Sequence, residues 1–138
     1  MKIAIVYWSG TGNTEAMANA VAEGGKNSGA EAELLNSITA DALGSYDAIA
    51  FGCPAMGAEE LEDSEFEPMF AALEGSLNGQ KIALFGSYGW GDGEWMRTWE
   101  ERCKEDGAVL ACDPVICNEA PDDDAISACR ALGEALTK

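Results

Sequence analysis

The stretch that decides the fold is residues 3–18, which read IAIVYWSGTGNTEAMA. Residues 3–8 form a continuous apolar run rich in β-formers, as is typical of a strand buried on both faces of a parallel sheet. Gly10 and Gly12 allow a sharp turn after it. The apolar spacing that follows, as far as residues 24–25, predicts a helix. Strand, glycine-rich turn and helix in this order predict a βα unit.

The same alternation continues along the chain. Further strands are predicted at residues 31–35, 47–53, 81–86 and 108–117, the last interrupted around Asp113-Pro114. Apolar residues at helical spacing lie in residues 66–77, 95–103 and 126–136. We therefore expect an α/β fold with a five-stranded parallel sheet covered by helices on both faces. The length predicts one domain over residues 1–138.

Composition excludes several functions. The formal net charge is -17 and the chain has no histidine. The charge argues against nucleic acid and anionic membrane surfaces as partners, and it favours proteins with basic docking faces. An alternative is that the acidity only confers solubility or reflects a salty habitat. Without histidine there is no Ser-His-Asp triad, no Cys-His pair and no imidazole metal ligand.

The five cysteines show no CxxC spacing, so neither a disulfide framework nor a zinc site is expected. No apolar run approaches the ~20 residues that span a bilayer. We expect a cytoplasmic protein with reduced thiols, most of them buried as small hydrophobic groups.

Ligands of open parallel sheets bind beyond the carboxyl ends of the strands. Three loops are expected there: the first loop (residues 9–14, SGTGNT), the second loop (54–60, PAMGAEE) and the third loop (87–93, SYGWGDG). All three are rich in glycine or hydroxyl groups. We therefore expect them to form the ligand site together.

The first loop predicts a phosphate cradle without Lys or Arg. Its glycines turn backbone N–H groups inward, its hydroxyls add donors, and a helix N-terminus lies behind it. It is not a Walker A loop, and Glu15 replaces the third glycine of the dinucleotide fingerprint. One terminal phosphate therefore fits better than a pyrophosphate. The alternative is a plain strand–helix turn.

The second and third loops predict the walls of a flat-ring site. The backbone at Met56-Gly57 can adopt two peptide orientations because glycine accepts positive φ. Glu59 can accept a hydrogen bond from a ring N–H, and Trp90, between two glycines, can stack on a ring. The alternative for the second loop is a surface turn in an acidic run. Trp8 and the two tryptophans of the predicted third helix are expected to serve in packing.

The three loops and their flanking segments resemble those of the short-chain flavodoxins. The motifs are IVYWSGTGNTEAMA (residues 5–18), GCPAMGAEELEDSEFEP (52–68) and ALFGSYGWGDGEWM (83–96), and the resemblance covers essentially the whole chain. It implies a flavodoxin-like three-layer α/β/α sandwich with strand order 2-1-3-4-5. It also implies non-covalently bound FMN as the cofactor.

The resemblance implies a role for each loop. The first loop binds the FMN phosphate, helped by Ser87. The Gly57 carbonyl accepts a hydrogen bond from the flavin N5–H after a peptide flip, and Glu59 accepts one from N3–H. Met56 and Trp90 flank the faces of the ring. Pro54 and Ala58 stand where other members carry polar residues, and Asn118 in the last loop contacts the ribityl chain or ring edge. The expected cofactor-binding residues are Ser9, Gly10, Thr11, Gly12, Asn13, Thr14, Pro54, Ala55, Met56, Gly57, Ala58, Glu59, Ser87, Tyr88, Gly89, Trp90, Gly91, Asp92 and Asn118.

The implied function is a low-potential one-electron carrier that cycles mainly between semiquinone and hydroquinone, with no substrate turnover of its own. Its expected partners are redox proteins with basic docking faces, of the kind that ferredoxins also serve, and the carrier itself is expected to be a monomer. An FMN-dependent, nicotinamide-linked reductase is the rival interpretation. The loops of this chain lack the residues that a receiver domain and a low-molecular-weight phosphatase require, so both of these interpretations are excluded.

Overall fold

The computed structural model describes residues 1–57 and 59–138. Within them six strands form one parallel sheet: β1 (Lys2–Tyr7), β2 (Glu31–Leu35), β3 (Ala48–Gly52), β4 (Lys81–Tyr88), β5 (Val109–Leu110) and β6 (Val115–Asn118). The order is β2-β1-β3-β4, with β5 and β6 both paired to β4. The two short strands occupy the fifth position in succession. The order expected from the resemblance is confirmed.

Four α-helices of the described chain flank the sheet: α1 (Asn13–Asn27), α2 (Phe66–Leu73), α3 (Glu94–Glu105) and α4 (Asp123–Leu136). Short 3₁₀ helices span Ala40–Ser45 and Glu74–Ser76. One face of the sheet packs against α1 and α4 and the other against α2 and α3. Among the described residues no helix has the length and apolar character needed to cross a membrane.

The two faces are packed with different side chains. On the α2/α3 face, Phe66 meets Trp99 edge-on with ring centroids 5.5 Å apart. On the other face, a side chain at Gly24 would strike the backbone of Arg130, and one at Gly133 would strike the backbone of Val21. Helices α1 and α4 therefore approach closely because glycine stands at their crossing.

Two predicted boundaries differ from the structure. Strand β4 continues to Tyr88, so Ser87 and Tyr88 belong to the strand and not only to the loop; they pair with Cys117 and Asn118 of β6. This pairing is long-range and leaves no local signal. The α-helix after Phe66 ends at Leu73 and continues as a 3₁₀ turn. The interruption of the fifth strand at Pro114 is confirmed, as proline cannot donate to a strand ladder.

Candidate functional site

The first loop connects β1 to α1 through short-range hydrogen bonds. The Ser9 hydroxyl oxygen accepts from the N–H groups of Gly12 and Glu15, each at 3.2 Å. Gly12, the residue before α1, has φ 94°, a left-handed conformation that favours glycine. The loop thereby presents the N-terminus of α1 with no cationic side chain in residues 9–14.

A buried hydroxyl at the start of α1 tests the loop as a phosphate site. Thr14 is 1% exposed, and its Oγ1 has no hydrogen-bond partner among the described residues. A buried hydroxyl left unpaired costs free energy, so such groups normally have partners. A phosphate oxygen is an acceptor that would satisfy it. This orphaned donor and the helix N-terminus fit the phosphate of FMN.

The second loop is a tight turn closed by two backbone hydrogen bonds. Met56 N–H donates to the Glu60 carbonyl at 2.8 Å, and Glu60 N–H donates to the Met56 carbonyl at 3.0 Å. Inside the turn, Gly57 and Glu59 have φ of 50° and 59°. Ala58, which the sequence analysis includes in the site, lies outside the described residues.

The stem of the second loop is held by distant elements. Ala55 N–H donates to the Ser87 carbonyl at 3.0 Å. The indole N–H of Trp95 donates to the Cys53 carbonyl at 3.2 Å. Trp95 is therefore buried in the packing, as the sequence predicts, and it also anchors the stem of the loop, which the sequence analysis did not predict. Burial is the main cause that raises the pKa of the Cys53 thiol to about 12, although the hydrogen bond from the Glu62 N–H lowers it, so this cysteine stays protonated.

The third loop carries the most exposed aromatic side chain of the site. Trp90 is 66% exposed between Gly89 and Gly91. A side chain at Gly91 would collide with the Glu59 carboxylate. The second and third loops are therefore in contact, and Trp90 stands free to stack on a ring.

Ser87 and Asn118 make hydrogen bonds to the backbone. The Ser87 hydroxyl donates to the Glu119 carbonyl at 2.7 Å, and the Asn118 amide donates to the Tyr88 carbonyl at 3.3 Å. Asp92 pairs with Arg97 at 3.1 Å on the surface. The contacts expected of these three residues with FMN stay predictions.

The loops meet in one open cleft of about 230 Å³. Its described lining comes from all three loops and from two residues beyond them: Gly10, Thr11, Asn13, Pro54, Ala55, Met56, Ser87, Tyr88, Gly89, Trp8 and Glu119. The structure thus brings the three predicted loops together. Gly57, Glu59 and Trp90 lie on the loops around this lining and not in it.

Sequence reasoning missed two lining residues. Trp8 was expected to serve in packing, but it lines the cleft, and its ring lies where a side chain at Gly10 would meet it at 3.0 Å. Its position directly before the first loop was the available signal. Glu119 has φ 59° and donates its N–H to the Tyr88 carbonyl at 2.8 Å. Nothing local in the sequence marks it, because its position depends on β6 pairing with β4.

The comparisons with known proteins agree with this geometry. The flavodoxin family model matches residues 5–133. A flavodoxin from Megasphaera elsdenii is 49% identical over 138 residues, covering 99% of this chain and 98% of its own. A flavodoxin from Clostridium beijerinckii is 49% identical over 121 residues, covering 86% of this chain and 88% of its own. The solution structure of two-electron reduced Megasphaera elsdenii flavodoxin superposes with a TM-score of 0.89 at 50% identity, covering 97% of both chains.

Proposed function

Since the chain belongs to the flavodoxin family and its cofactor is FMN, we propose that it is a low-potential one-electron carrier without substrate turnover of its own. FMN supplies the one-electron chemistry, and the protein cycles it mainly between semiquinone and hydroquinone. The observation that carries the proposal is the convergence of the three loops on one cleft. Glu119 is the one charged residue in the described lining of that cleft, and no Lys or Arg is among them.

The residue roles follow from this arrangement. The first loop holds the phosphate with its N–H groups and the Thr14 hydroxyl. Met56 and Trp90, 39% and 66% exposed, flank the ring. Gly57 offers its carbonyl to N5–H after a peptide flip, and Glu59 accepts from N3–H. In this proposal each residue supplies a donor, an acceptor or an apolar surface to the cofactor, and none acts as a catalytic base.

The charge distribution supports a low potential. The second electron makes the flavin anionic, and no Lys or Arg lies in the three loops to stabilise it. A carboxylate about 10 Å away opposes that charge by roughly 0.4 kcal/mol before salt screening, which is roughly 15–20 mV for one electron. Many such groups acting together, with stacking on Trp90, lower the potential of the second couple.

An anaerobic dithionite titration followed by visible absorption tests the proposal. We expect a yellow protein that passes through a blue neutral semiquinone before it bleaches. A protein that stays colourless after FMN is added would contradict the cleft as an FMN site. Direct bleaching without a semiquinone, together with turnover of NADH, would favour the reductase interpretation.

The variant Gly57→Thr tests the peptide flip within the same titration. Glycine accepts turn conformations, such as the φ of 50° described at Gly57, that a β-branched residue resists, so threonine limits the orientations open to this peptide. The substitution should make the flipped peptide costlier and reduce the semiquinone yield. An unchanged yield would show that the flip does not stabilise the semiquinone.

The acidic run at residues 59–67 and Asp92 is the proposed docking surface for basic faces of redox partners in the cytoplasm. Glu60, Asp63 and Glu65 of this run are exposed, whereas Glu67 pairs with Arg102 at 2.7 Å. Complementary charge speeds encounter, and salt screens it. Electron-transfer rates to a basic partner should fall as ionic strength rises. Electron-transfer rates that do not change with ionic strength would contradict the assignment of this docking surface.

A further inference from the structure

One residue of the acidic run is buried and does not belong to the docking surface. Glu62 is 4% exposed. Its carboxylate accepts from the N–H groups of Ser64 and Glu65 at 2.7 Å each and from Phe66 N–H at 2.8 Å. The Ser64 hydroxyl donates to it as well. Four donors therefore surround the Glu62 carboxylate and compensate for the burial of its negative charge.

Glu62 also satisfies the start of α2. Its carboxylate accepts hydrogen bonds from the N–H groups of Glu65 and Phe66, and its carbonyl oxygen accepts one from the Glu67 N–H at 2.8 Å. Glu65, directly before the helix, makes no capping bond with its own side chain. The leading N–H groups of a helix need such partners. Glu62 therefore attaches the segment that follows the second loop to the first turn of α2.

The backbone N–H of Glu62 connects the segment after the second loop to Cys53, the residue directly before it. This N–H donates to the Cys53 sulfur at 3.3 Å. Cys53 is in turn held between β4 and α3, because its N–H donates to the Phe85 carbonyl at 3.2 Å and its carbonyl accepts from Trp95. Residues 53 and 62 thus close a ring around the turn from Met56 to Glu60. Besides the two backbone bonds between Met56 and Glu60, this contact joins the two stems of the second loop.

We infer that Glu62 is a positioning residue for FMN, which holds the second loop in its binding conformation through the Cys53 contact and the cap on α2. This inference rests on the proposed function, because it assigns the second loop to the flavin. Glu62 itself does not line the cleft. It acts through the residues between 53 and 62.

The chemistry requires a carboxylate at this position. Glutamine has one acceptor oxygen and an NH₂ group that only donates. All four groups that face the Glu62 carboxylate are donors in the described structure, three of them backbone N–H. In Glu62→Gln at least one backbone N–H loses its acceptor, so the stem loosens at nearly constant side-chain volume.

The test compares Glu62→Gln with Glu65→Gln. Both remove one negative charge from the same run, but the Glu65 side chain is exposed and makes no cap bond. Two quantities are measured: the Kd for FMN added to apoprotein, and the exchange rate of the Met56 and Glu60 amides in apoprotein. For Glu62→Gln we expect the Kd and both exchange rates to rise about tenfold. For Glu65→Gln we expect changes below twofold.

Glu62→Asp keeps the charge and reaches amides two and three residues ahead, as N-cap aspartates do. It should recover most of the FMN affinity, and it supplies the measurement if Glu62→Gln fails to fold. Equal Kd changes in the two glutamine variants would reduce Glu62 to one charge among many. A tenfold faster exchange with unchanged Kd would make it a structural cap only. Both results overturn the inference, whereas failure of the wild-type apoprotein to bind FMN would overturn the proposed function instead.

Discussion

The first and second loops leave the same edge of the sheet but are held in place differently. The first loop is shaped from within residues 9–15, by the Ser9 hydroxyl on two nearby N–H groups and by glycine at a positive φ. The second loop closes its tip with the two backbone bonds between Met56 and Glu60, but its stems are held from outside, by bonds to β4, α3 and the start of α2. The proposed phosphate end of the site is therefore a local structure, whereas the proposed redox end depends on the packing of the domain.

The difference matters for what each loop can do. A locally fixed loop presents its donors before the ligand arrives, which suits a phosphate that has the same charge distribution in every redox state. A turn with two anchored stems can confine a backbone change to the peptide at its tip. The three predictions below test these two constructions, from the largest expected effect to the smallest.

Acid should weaken the second loop first. Burial raises the pKa of Glu62, but the hydrogen bonds from Ser64, Phe66 and Glu65 lower it more, to about 2. A carboxylate whose pKa is depressed in the folded state stabilises the fold above its ordinary pKa of about 4.5, and this contribution is lost as pH falls toward 2. The shift corresponds to about 3 kcal/mol at neutral pH.

Urea unfolding of the apoprotein measures this contribution. Wild type should exceed Glu62→Gln by about 3 kcal/mol at pH 7, and the difference should shrink steadily between pH 4.5 and pH 2. Glu65→Gln controls for the general effect of one charge fewer in a highly acidic chain. A difference between wild type and Glu62→Gln that stays constant with pH would show that the carboxylate is not the source of the stability.

A matched pair of glycines tests the first loop. Gly12 and Gly29 have φ of 94° and 91°, and an added Cβ meets nothing within 4 Å at either position. Alanine at either should therefore cost about 1–2 kcal/mol of unfolding free energy through backbone strain alone. Only Gly12→Ala should also weaken FMN binding, by about tenfold, because relief of that strain moves the loop N–H groups.

The measurement is urea unfolding and FMN titration of both variants. Equal stability losses with unequal FMN affinities would locate the phosphate site in the first loop. A similar loss of FMN affinity in Gly29→Ala would mean that global destabilisation, and not loop geometry, controls binding.

The contrast between the loops also explains what could be predicted from the sequence. The alternation of strands and helices and the turn of the first loop rest on periodicity and glycine placement, which are local signals, whereas the strand order is implied by the resemblance. The extension of β4 through Tyr88, the position of Glu119 in the cleft and the anchoring of Cys53 by Glu62 depend on residues 9 to 32 positions apart. In the sequence Glu62 is one of six acids in residues 59–67. Its burial becomes visible only when α2 is in place.

The smallest expected effect has opposite signs in the two states of the protein. Thr14→Val preserves the shape of the side chain and removes the hydroxyl that has no partner in the described chain. The apoprotein should gain about 1 kcal/mol of stability, because an unpaired buried hydroxyl is costly. FMN affinity should fall about fivefold, because the phosphate loses one donor. Riboflavin, which lacks the phosphate, should bind wild type and variant alike. A variant that loses stability and keeps its FMN affinity would show that the Thr14 hydroxyl serves the fold of the first loop and not the phosphate.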